Sequence, residues 1–481
     1  MRRSARLRPT GADEALRVLS RAANHGVLWW AVGAVLATRK GPTRRAALRG
    51  TAAIAGASAS ANLLGKRLFP RRRPAAVEVP VRRRLVRRPT SSSFPSGHAA
   101  SAAAFATAVS MEAPAAGVAV GGLAAAVAYS RVHTGVHWPS DVGAGVLIGV
   151  AAAAATRHWW PLHSDAPAHT AHRASAPVMR DGEDMLVVVN PTSGDATIDP
   201  IRQCKVAWPS ATFIYPERGV DLRAQLQREI DERGDAVRAL AVAGGDGTVA
   251  AVASVAADND LPLALIPAGT LNHFARDVGV RSMPEADAAT EAGAAVGIDL
   301  GEVTIAYGEG DGDDNEIRRW FVNTASLGAY PEMVRMREWL QRKHPKWPAA
   351  AIATARVLRR ARPLRVELNG KRRSLWILFV GNGDYSPATG ITPPRRPAMD
   401  TGVLDVRYLR ADAPFSRARF LFGAITNSLH ASHVYRHEHL AELDVRLLGG
   451  NRRIATDGEL GPLGNHFRFR SRASALTIYR S

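Results

Sequence analysis

Lys66, Arg73, His98, Arg131, His137 and Asp141 are residues of the types that remove a phosphoryl group through a covalent intermediate. The three cations offer fixed positive charge to phosphate oxygens. One imidazole can attack phosphorus while the other protonates the leaving oxygen, and a carboxylate four residues past His137 can hold that ring's tautomer. They fall in three short stretches: Lys66 seven residues before Arg73-Pro74, then Pro95-Ser96-Gly97-His98, then Ser130-Arg131 followed by His137 and Asp141. Gly97 permits close backbone approach, and a helix starting at His98 adds partial positive charge. A second chemistry begins near Met185. The backbone N–H groups of Gly244, Gly245, Asp246, Gly247 and Thr248 can cradle a polyphosphate after a strand-like run. Asn190, Pro191, Thr192, Ser193 and Gly194 follow one similar run, Pro267 to Thr270 with Asn272 follow another, and Asp457-Gly458-Glu459 brings carboxylates from far downstream.

The elements that must position these groups differ between the two halves. Before residue 157 the chain is rich in alanine, glycine and valine, with apolar segments at about 26–38, 46–64, 97–112, 114–130 and 141–156. Small residues let helices pack closely in a bilayer, so an α-helical membrane bundle over residues 1–157 is expected, with a soluble helical bundle as the alternative because the segments are short. Residues 1–25 read as a basic amphipathic helix. Glu112-Ala113-Pro114 marks a turn with its carboxylate in water. Residues 158–184 lack apolar periodicity and read as an interdomain linker. Met185–Val189, Ala239–Ala243 and Leu263–Ile266 are strand candidates, each followed by a turn and helix-like sequence. That pattern predicts an α/β, doubly wound nucleotide-binding domain over 185–298. Beyond it, residues 299–481 read as a β-rich second lobe, interrupted by a basic helical stretch near 331–362. The fold class is multidomain.

Composition narrows the partners. A formal net charge of +20, from 63 Lys plus Arg against 43 Asp plus Glu, suits nucleic acid, anionic lipid or phosphorylated substrates. Much of that charge lies beside apolar spans, between Lys66 and Arg88, and no zinc-ligand or stacking-aromatic module accompanies it, so lipid is expected and nucleic acid is not. The single cysteine, Cys204, excludes an intramolecular disulfide. The basic N-terminus is followed by no apolar run with a small-residue cleavage site, so no cleaved signal is expected.

The first set of motifs resembles the type-2 phosphatidic-acid phosphatase family, whose signature runs Lys-x6-Arg-Pro, Pro-Ser-Gly-His, Ser-Arg-x5-His-x3-Asp. All three parts are present in order and at the family's spacing. The resemblance implies that His137 is the nucleophile, His98 the acid and base for the leaving group, and Asp141 the partner of His137. Lys66, Arg73, Ser96, Gly97 and Arg131 would bind phosphate. Three matched motifs argue against a set of merely satisfied helix-end polar groups. His25 and His133 match neither motif and read as structural.

Residues 185–481 resemble the diacylglycerol-kinase catalytic family, which includes sphingosine and bacterial lipid kinases and is similar in fold to NAD kinases. The resemblance implies ATP binding by Asn190–Gly194, Gly244–Ala250, Thr270 and Asn272, with Glu459 as general base on a lipid hydroxyl and Mg2+ as metal. Two positions depart from the family: Asn272 is followed by His273 where many members carry Asp, and Thr401 replaces an Asp in the stretch Asp400 to Asp405. Asp246 and Asp400 are the remaining metal candidates.

Together these resemblances imply a multi-pass cell-membrane enzyme acting on phosphatidic acid, diacylglycerol or a related lipid. Five crossings would put the kinase in the cytoplasm and the phosphatase site outside, although the basic loop between Lys66 and Arg88 favours the inside by charge. Two other readings stand beside it: a kinase whose first module is only a membrane anchor, and a soluble NAD-kinase-like activity. Oligomeric state has no signature.

Overall fold

The computed structural model describes residues 11–39, 41–75, 79–85, 89–162, 167–191, 193, 199–217, 219–269, 272–307, 316–341, 349, 352–353, 356–357, 361–386 and 396–481. They form two compact units that divide near residue 164.

The first unit is helical, with α1 Ala12–Ala22, α2 Val27–Ala37, α3 Pro42–Ala59, α4 Gly97–Glu112, α5 Pro114–His133 and α6 Pro139–Trp159. Each of the five apolar segments is a helix. α3, α5 and α6 open on proline, whose missing N–H is no loss in a first helical turn. α3, α4 and α6 meet through alanines, among them Ala53, Ala57, Ala100, Ala104 and Ala153. Some branched side chains point outward, Val118 being 80% exposed, Leu147 71% and Val35 70%, while Val109, Val120 and Val127 pack inside with Trp29 and Phe105. Large apolar side chains exposed along the outer faces suit lipid surroundings better than water. α5 and α6 are long and apolar enough to cross a membrane, by length and composition.

The closest packing is between α4 and α6. A Cβ added at Gly145 would lie 2.4 Å from the Ser96 carbonyl oxygen, and one at Gly149 would lie 2.3 Å from that of Ala100. Both meet backbone, which cannot swing away. Gly149→Leu is therefore expected to force α6 off α4 and to destabilise the unit by about 1–3 kcal/mol, read as a lower thermal midpoint of the detergent-solubilised protein.

One expectation is corrected here. The turn at Ala113 is present, but Glu112 is not in water. Its carboxylate is buried and receives Arg49 Nη2 at 2.7 Å and Arg45 Nε at 3.0 Å, while Arg49 Nη1 also donates to Thr156 Oγ1 at 2.9 Å. The polar cluster joins the start of α3, the end of α4 and the end of α6. α1 is held by a buried carboxylate, Asp13, which contacts Arg83 Nε at 2.9 Å and His133 Nε2 at 2.7 Å. His133 thus has the structural role expected of it.

In the second unit, β1 Met185–Val189, β2 Thr212–Ile214, β3 Ala239–Gly244 and β4 Leu263–Pro267 form a parallel sheet in the order β2-β1-β3-β4. Every residue of β1 and β3 is buried, as strands covered on both faces require. α7, Asp246–Asp258, follows β3, and α8, His273–Val278, follows β4.

The remaining strands are mostly antiparallel. Those used below are β5 Ala294–Ala306, β6 Thr324–Gly328, β7 Lys371–Asn382, β8 Leu404–Arg410, β9 Tyr435–Leu440, β10 Arg452–Thr456, β11 Glu459–Gly464 and β12 His466–Tyr479. Two boundaries differ from expectation. β5 runs through residue 298, and β12 pairs antiparallel with β5 and parallel with β4 at Ile478, so the two lobes share one sheet and the chain's last strand returns to the first lobe. The second half of the expected linker is also tied down: Arg173–Ser175 pairs with Ala294–Val296, and the Met179 N–H donates to the Thr290 carbonyl at 3.0 Å. Backbone pairing needs no apolar periodicity, which is why composition read this stretch as loose.

Candidate functional sites

Within the first unit, the polar end of the bundle gathers side chains from four places. Lys66 opens the short helical turn Lys66–Leu68 that follows α3, Arg73 sits in the extended stretch beyond it, His98 is in the first turn of α4, and Arg131 is in the last turn of α5. His137 lies in the short turn before α6. These five and Gly97 line one cavity of about 340 Å³, together with His25, Asn62 and Ser91. The phosphate-binding and imidazole candidates, separated by up to 71 positions in sequence, converge there, and His25 joins a site it was not expected to serve.

His137 is held by a group that the motif does not contain. Its Nδ1 lies 2.6 Å from the Ser93 carbonyl oxygen, so Nδ1–H donates and the Nε2 lone pair faces the cavity, where Arg73 Nη1 is 3.3 Å away. Asp141 was expected to do this, but its carboxylate is 3.7 Å from Nδ1. It instead accepts the Trp138 N–H at 2.9 Å, Arg71 Nη1 at 2.8 Å and the Ser93 hydroxyl. Asp141 therefore fixes the turn that carries His137 and the segment before α4 that carries Ser93. Burial, reinforced by the Arg73 and Arg131 charges, pushes the His137 imidazolium down to about 2. The ring is neutral at physiological pH, as a nucleophile must be.

Arg73 is splayed across the rim, donating to the Ser91 and Val136 carbonyls at 3.0 and 2.7 Å. Lys66 Nζ reaches Ser91 Oγ at 3.4 Å, and burial followed by the Arg73 and Arg131 charges lowers its pKa. Arg131 is buried and donates through Nη1 to Ser20 Oγ at 2.5 Å, while its Nε is buried with no partner. An orphaned guanidinium donor beside a cavity of like charges calls for an anion. His98 Nε2 contacts Asn24 Oδ1 at 2.8 Å. Ser96 is corrected: it is buried, does not line the cavity, and its hydroxyl accepts the Ala99 N–H at 3.4 Å as the cap of α4.

In the second unit, the Gly-rich turn between β3 and α7 is braced by its neighbours. The Gly245 N–H donates to Ser193 Oγ at 3.2 Å, and Asn190 Nδ2 donates to Thr248 Oγ1 at 3.0 Å. Asn272 closes the turn after β4 by accepting the Gly269 N–H and donating back to the Gly269 carbonyl, each at 2.8 Å. Thr192, Gly194 and Thr270 lie outside the described residues. The N-terminus of α7, a helix of 13 residues, opens behind this turn, where an anion gains from the helix dipole.

Glu459 opens β11, some two hundred residues downstream, yet its Oε1 lies 2.8 Å from the place a Cβ would occupy on Gly247. Its neighbour Asp457 supplies the rigidity, with a carboxylate that accepts the N–H groups of Val322, Asn323 and Thr324 at 2.8, 2.7 and 3.0 Å. Partial burial raises the Glu459 carboxyl above the ordinary range. Arg223, 4.0 Å away, opposes that rise, and Asp457 adds to it. Arg223 and Arg319 are cations at this site that no sequence pattern singled out.

The two metal candidates each accept a backbone N–H. Asp246 Oδ1 accepts the His273 N–H at 2.8 Å, and Asp400 accepts the Ala171 N–H with His172 Nδ1 3.5 Å away. Among the described residues, no cluster of metal-type ligands contains either carboxylate. Each carboxylate keeps further lone pairs, and magnesium commonly takes only one or two carboxylates beside phosphate oxygens and water.

Residues 46–165 match the PAP2 superfamily, and residues 184–303 match the diacylglycerol kinase catalytic domain. The chain thus carries one domain of a phosphatase family and one of a lipid-kinase family. More particularly, a diacylglycerol kinase of Mycobacterium tuberculosis is 31% identical over 219 residues, which are 44% of this chain and 66% of that protein, just under two thirds of its length. Among solved structures, a diacylglycerol kinase from Bacillus anthracis str. Sterne is 18% identical over 62% of this chain and 97% of its own, with a TM-score of 0.41. A PAP2 type phosphatidylglycerolphosphate phosphatase from Bacillus subtilis is 21% identical over 32% of this chain and 79% of its own, with a TM-score of 0.27. A kinase domain of this family implies ATP-dependent phosphoryl transfer with a divalent metal.

Proposed function

We propose that this chain is a bifunctional membrane lipid enzyme. Its first unit hydrolyses a lipid phosphate such as phosphatidic acid, and its second transfers the γ-phosphoryl group of ATP to diacylglycerol or a related lipid hydroxyl. The observation that carries the reading is the convergence of Lys66, Arg73, His98, Arg131 and His137 on one cavity, with the His137 tautomer already set for attack. In the phosphatase reaction, Nε2 of His137 bonds to phosphorus while the ester P–O bond breaks, and His98 gives its proton to the departing alcohol oxygen. Water, deprotonated by His98, then attacks the phosphohistidine and releases inorganic phosphate. Lys66, Arg73 and Arg131 neutralise the phosphoryl oxygens throughout. In the kinase reaction, Glu459 takes the proton of the acceptor hydroxyl as its oxygen bonds to the γ-phosphorus and ADP leaves, with the backbone N–H groups of the Gly244–Thr248 turn holding phosphate oxygens.

Large apolar side chains exposed on the outside of the bundle, among them Trp30, Val118 and Leu147, support a membrane location. The ends of α6 support one sidedness. Asp141 lies at its cavity end and Thr156, bonded to Arg49, at the other, so the chain leaves the bundle on the face opposite the phosphatase cavity. This supports a cytoplasmic kinase and an extracytoplasmic phosphatase.

The test is made on the full-length protein in detergent, following phosphate release from phosphatidic acid and label transfer from ATP to a diacylglycerol panel. Glu459→Gln is expected to lower kinase turnover by about 100- to 1000-fold while sparing phosphate release. Unchanged transfer removes Glu459 from the base role, and transfer to NAD but to no lipid removes the lipid-kinase reading. Because the Glu459 carboxyl is raised, its base form is lost as pH falls through a value above the ordinary carboxylate range. The wild-type kinase rate is therefore expected to show its acidic limb there. A limb at or below the ordinary range, measured at saturating substrate, contradicts the assignment.

A further inference from the structure

Asp384, Asp405, His437 and His439 lie outside both sites, and their ligand atoms all fall within 4.8 Å of one another. The strand geometry explains why they meet. His437 and His439 are two apart on β9, so both imidazoles project from one face. Asp405 on β8 is directly opposite His439 in the antiparallel register, and Asp384 follows the end of β7, the strand on the other side of β8. One imidazole, one carboxylate and a second of each therefore surround a common point at the end of the sheet.

The contacts within the group are those of ligands sharing a centre. Asp384 Oδ1 is 3.0 Å from His439 Nε2, and Asp405 Oδ1 is 2.9 Å from His437 Nε2. His437 Nε2 is buried and, despite that closeness, has no hydrogen-bond partner. A lone pair and a carboxylate oxygen brought together without a proton between them is the arrangement a cation completes. Asp405 is further oriented from behind, by Arg407 at 2.7 and 2.5 Å and by the Tyr385 N–H at 3.0 Å. Such outer contacts aim a ligand carboxylate. The two carboxylates together outweigh the one guanidinium.

We propose that these four residues bind a divalent transition-metal ion of the zinc type. Two imidazole nitrogens and two carboxylate oxygens match the ligand number and softness zinc prefers, whereas magnesium favours all-oxygen octahedral sites. The ion would clip strand β9 and the segment after β7 to β8, a structural role independent of either reaction.

The experiment uses the full-length protein carrying no histidine tag, equilibrated with zinc, desalted and analysed for metal by mass spectrometry. The wild type is expected to retain about one zinc more per chain than His437→Ala/His439→Ala and than Asp384→Asn, a change in a half-exposed residue that leaves the strands intact. Zinc should raise the melting temperature of the wild type and of neither variant. A hundredfold excess of magnesium should leave the retained zinc unchanged. Equal zinc in all three proteins, as binding by histidines elsewhere in the chain would give, overturns the proposal. So does no zinc in the wild type, which would mean two separate histidine–carboxylate pairs, and so does displacement by magnesium.

Discussion

His137→Ala is expected to reduce phosphate release from phosphatidic acid by at least about 10⁴-fold, while ATP-dependent phosphorylation of the lipid acceptor in the same preparation stays within twofold. The magnitude is that of losing a nucleophile whose partners cannot replace it. His98 is engaged by Asn24, and the cations around it bind oxygen and do not attack phosphorus. Among the described residues lining the cavity, His25 is the third imidazole and the one group that could rescue turnover, so His25→Ala/His137→Ala serves as the control. The geometry adds a second arm. The Ser93 carbonyl, and not Asp141, sets the His137 tautomer, so Asp141→Asn should preserve part of the activity, having lost only the contact with Arg71 and the anchoring of the turn. Acid-quenched wild-type enzyme turning over labelled phosphatidic acid should trap an acid-labile, base-stable phosphoryl group that His137→Ala lacks. If the alanine variant still turns over, the first unit acts by another route; if the wild type shows no release at all, it serves as an anchor.

The second large effect is on stability. Glu112→Ala is expected to destabilise the first unit by about 3–5 kcal/mol, because it strands the fully buried Arg49 guanidinium and removes the partner of Arg45. The double change Arg49→Met with Glu112→Leu removes both charges and keeps their volume, and it should recover most of that loss. Thermal unfolding in detergent, monitored by circular dichroism, measures both. Equal melting points for the wild type and Glu112→Ala would show that the pair is solvated and contributes nothing.

Much of this architecture was legible in the residues themselves, and the limits of legibility have a physical pattern. The five apolar segments became five helices because alanine, glycine and valine recur without a break, and the βαβ run was recognisable because its strands are covered on both faces and hence almost purely apolar. The candidate phosphatase groups could be named because each lies in a short stretch of local sequence. What could not be read were contacts whose partners carry no local signal. Ser93 contributes only a backbone carbonyl, which any residue has. Arg49 and Glu112 are 63 positions apart, and a carboxylate beside a proline reads as a solvated turn until its partner is in place. Asp246 and Asp400 could be named from acidity and Gly-rich neighbours, but their backbone partners, the His273 and Ala171 N–H groups, carry no local signal. The Asp384, Asp405, His437 and His439 group was invisible because each is unremarkable in its own stretch, and only strand register collects them.

α6 has a further consequence. Its two anchored residues, Asp141 and Thr156, lie 15 positions apart within its 21 residues, roughly 22 Å along the axis and so shorter than a typical hydrocarbon core of about 30 Å. At one end Asp141 braces the turn that carries His137; at the other, Thr156 is bonded to the Arg49–Glu112 pair. Both ends are pinned by charge, so the helix cannot slide to suit its surroundings, and it acts as a calliper between the two polar layers. In a thicker bilayer the mouth of the cavity would sink below the headgroups it must reach. Phosphatase turnover is therefore expected to peak in vesicles of one acyl-chain length and to fall on either side, and a rate independent of chain length would show that the bundle does not measure its host membrane.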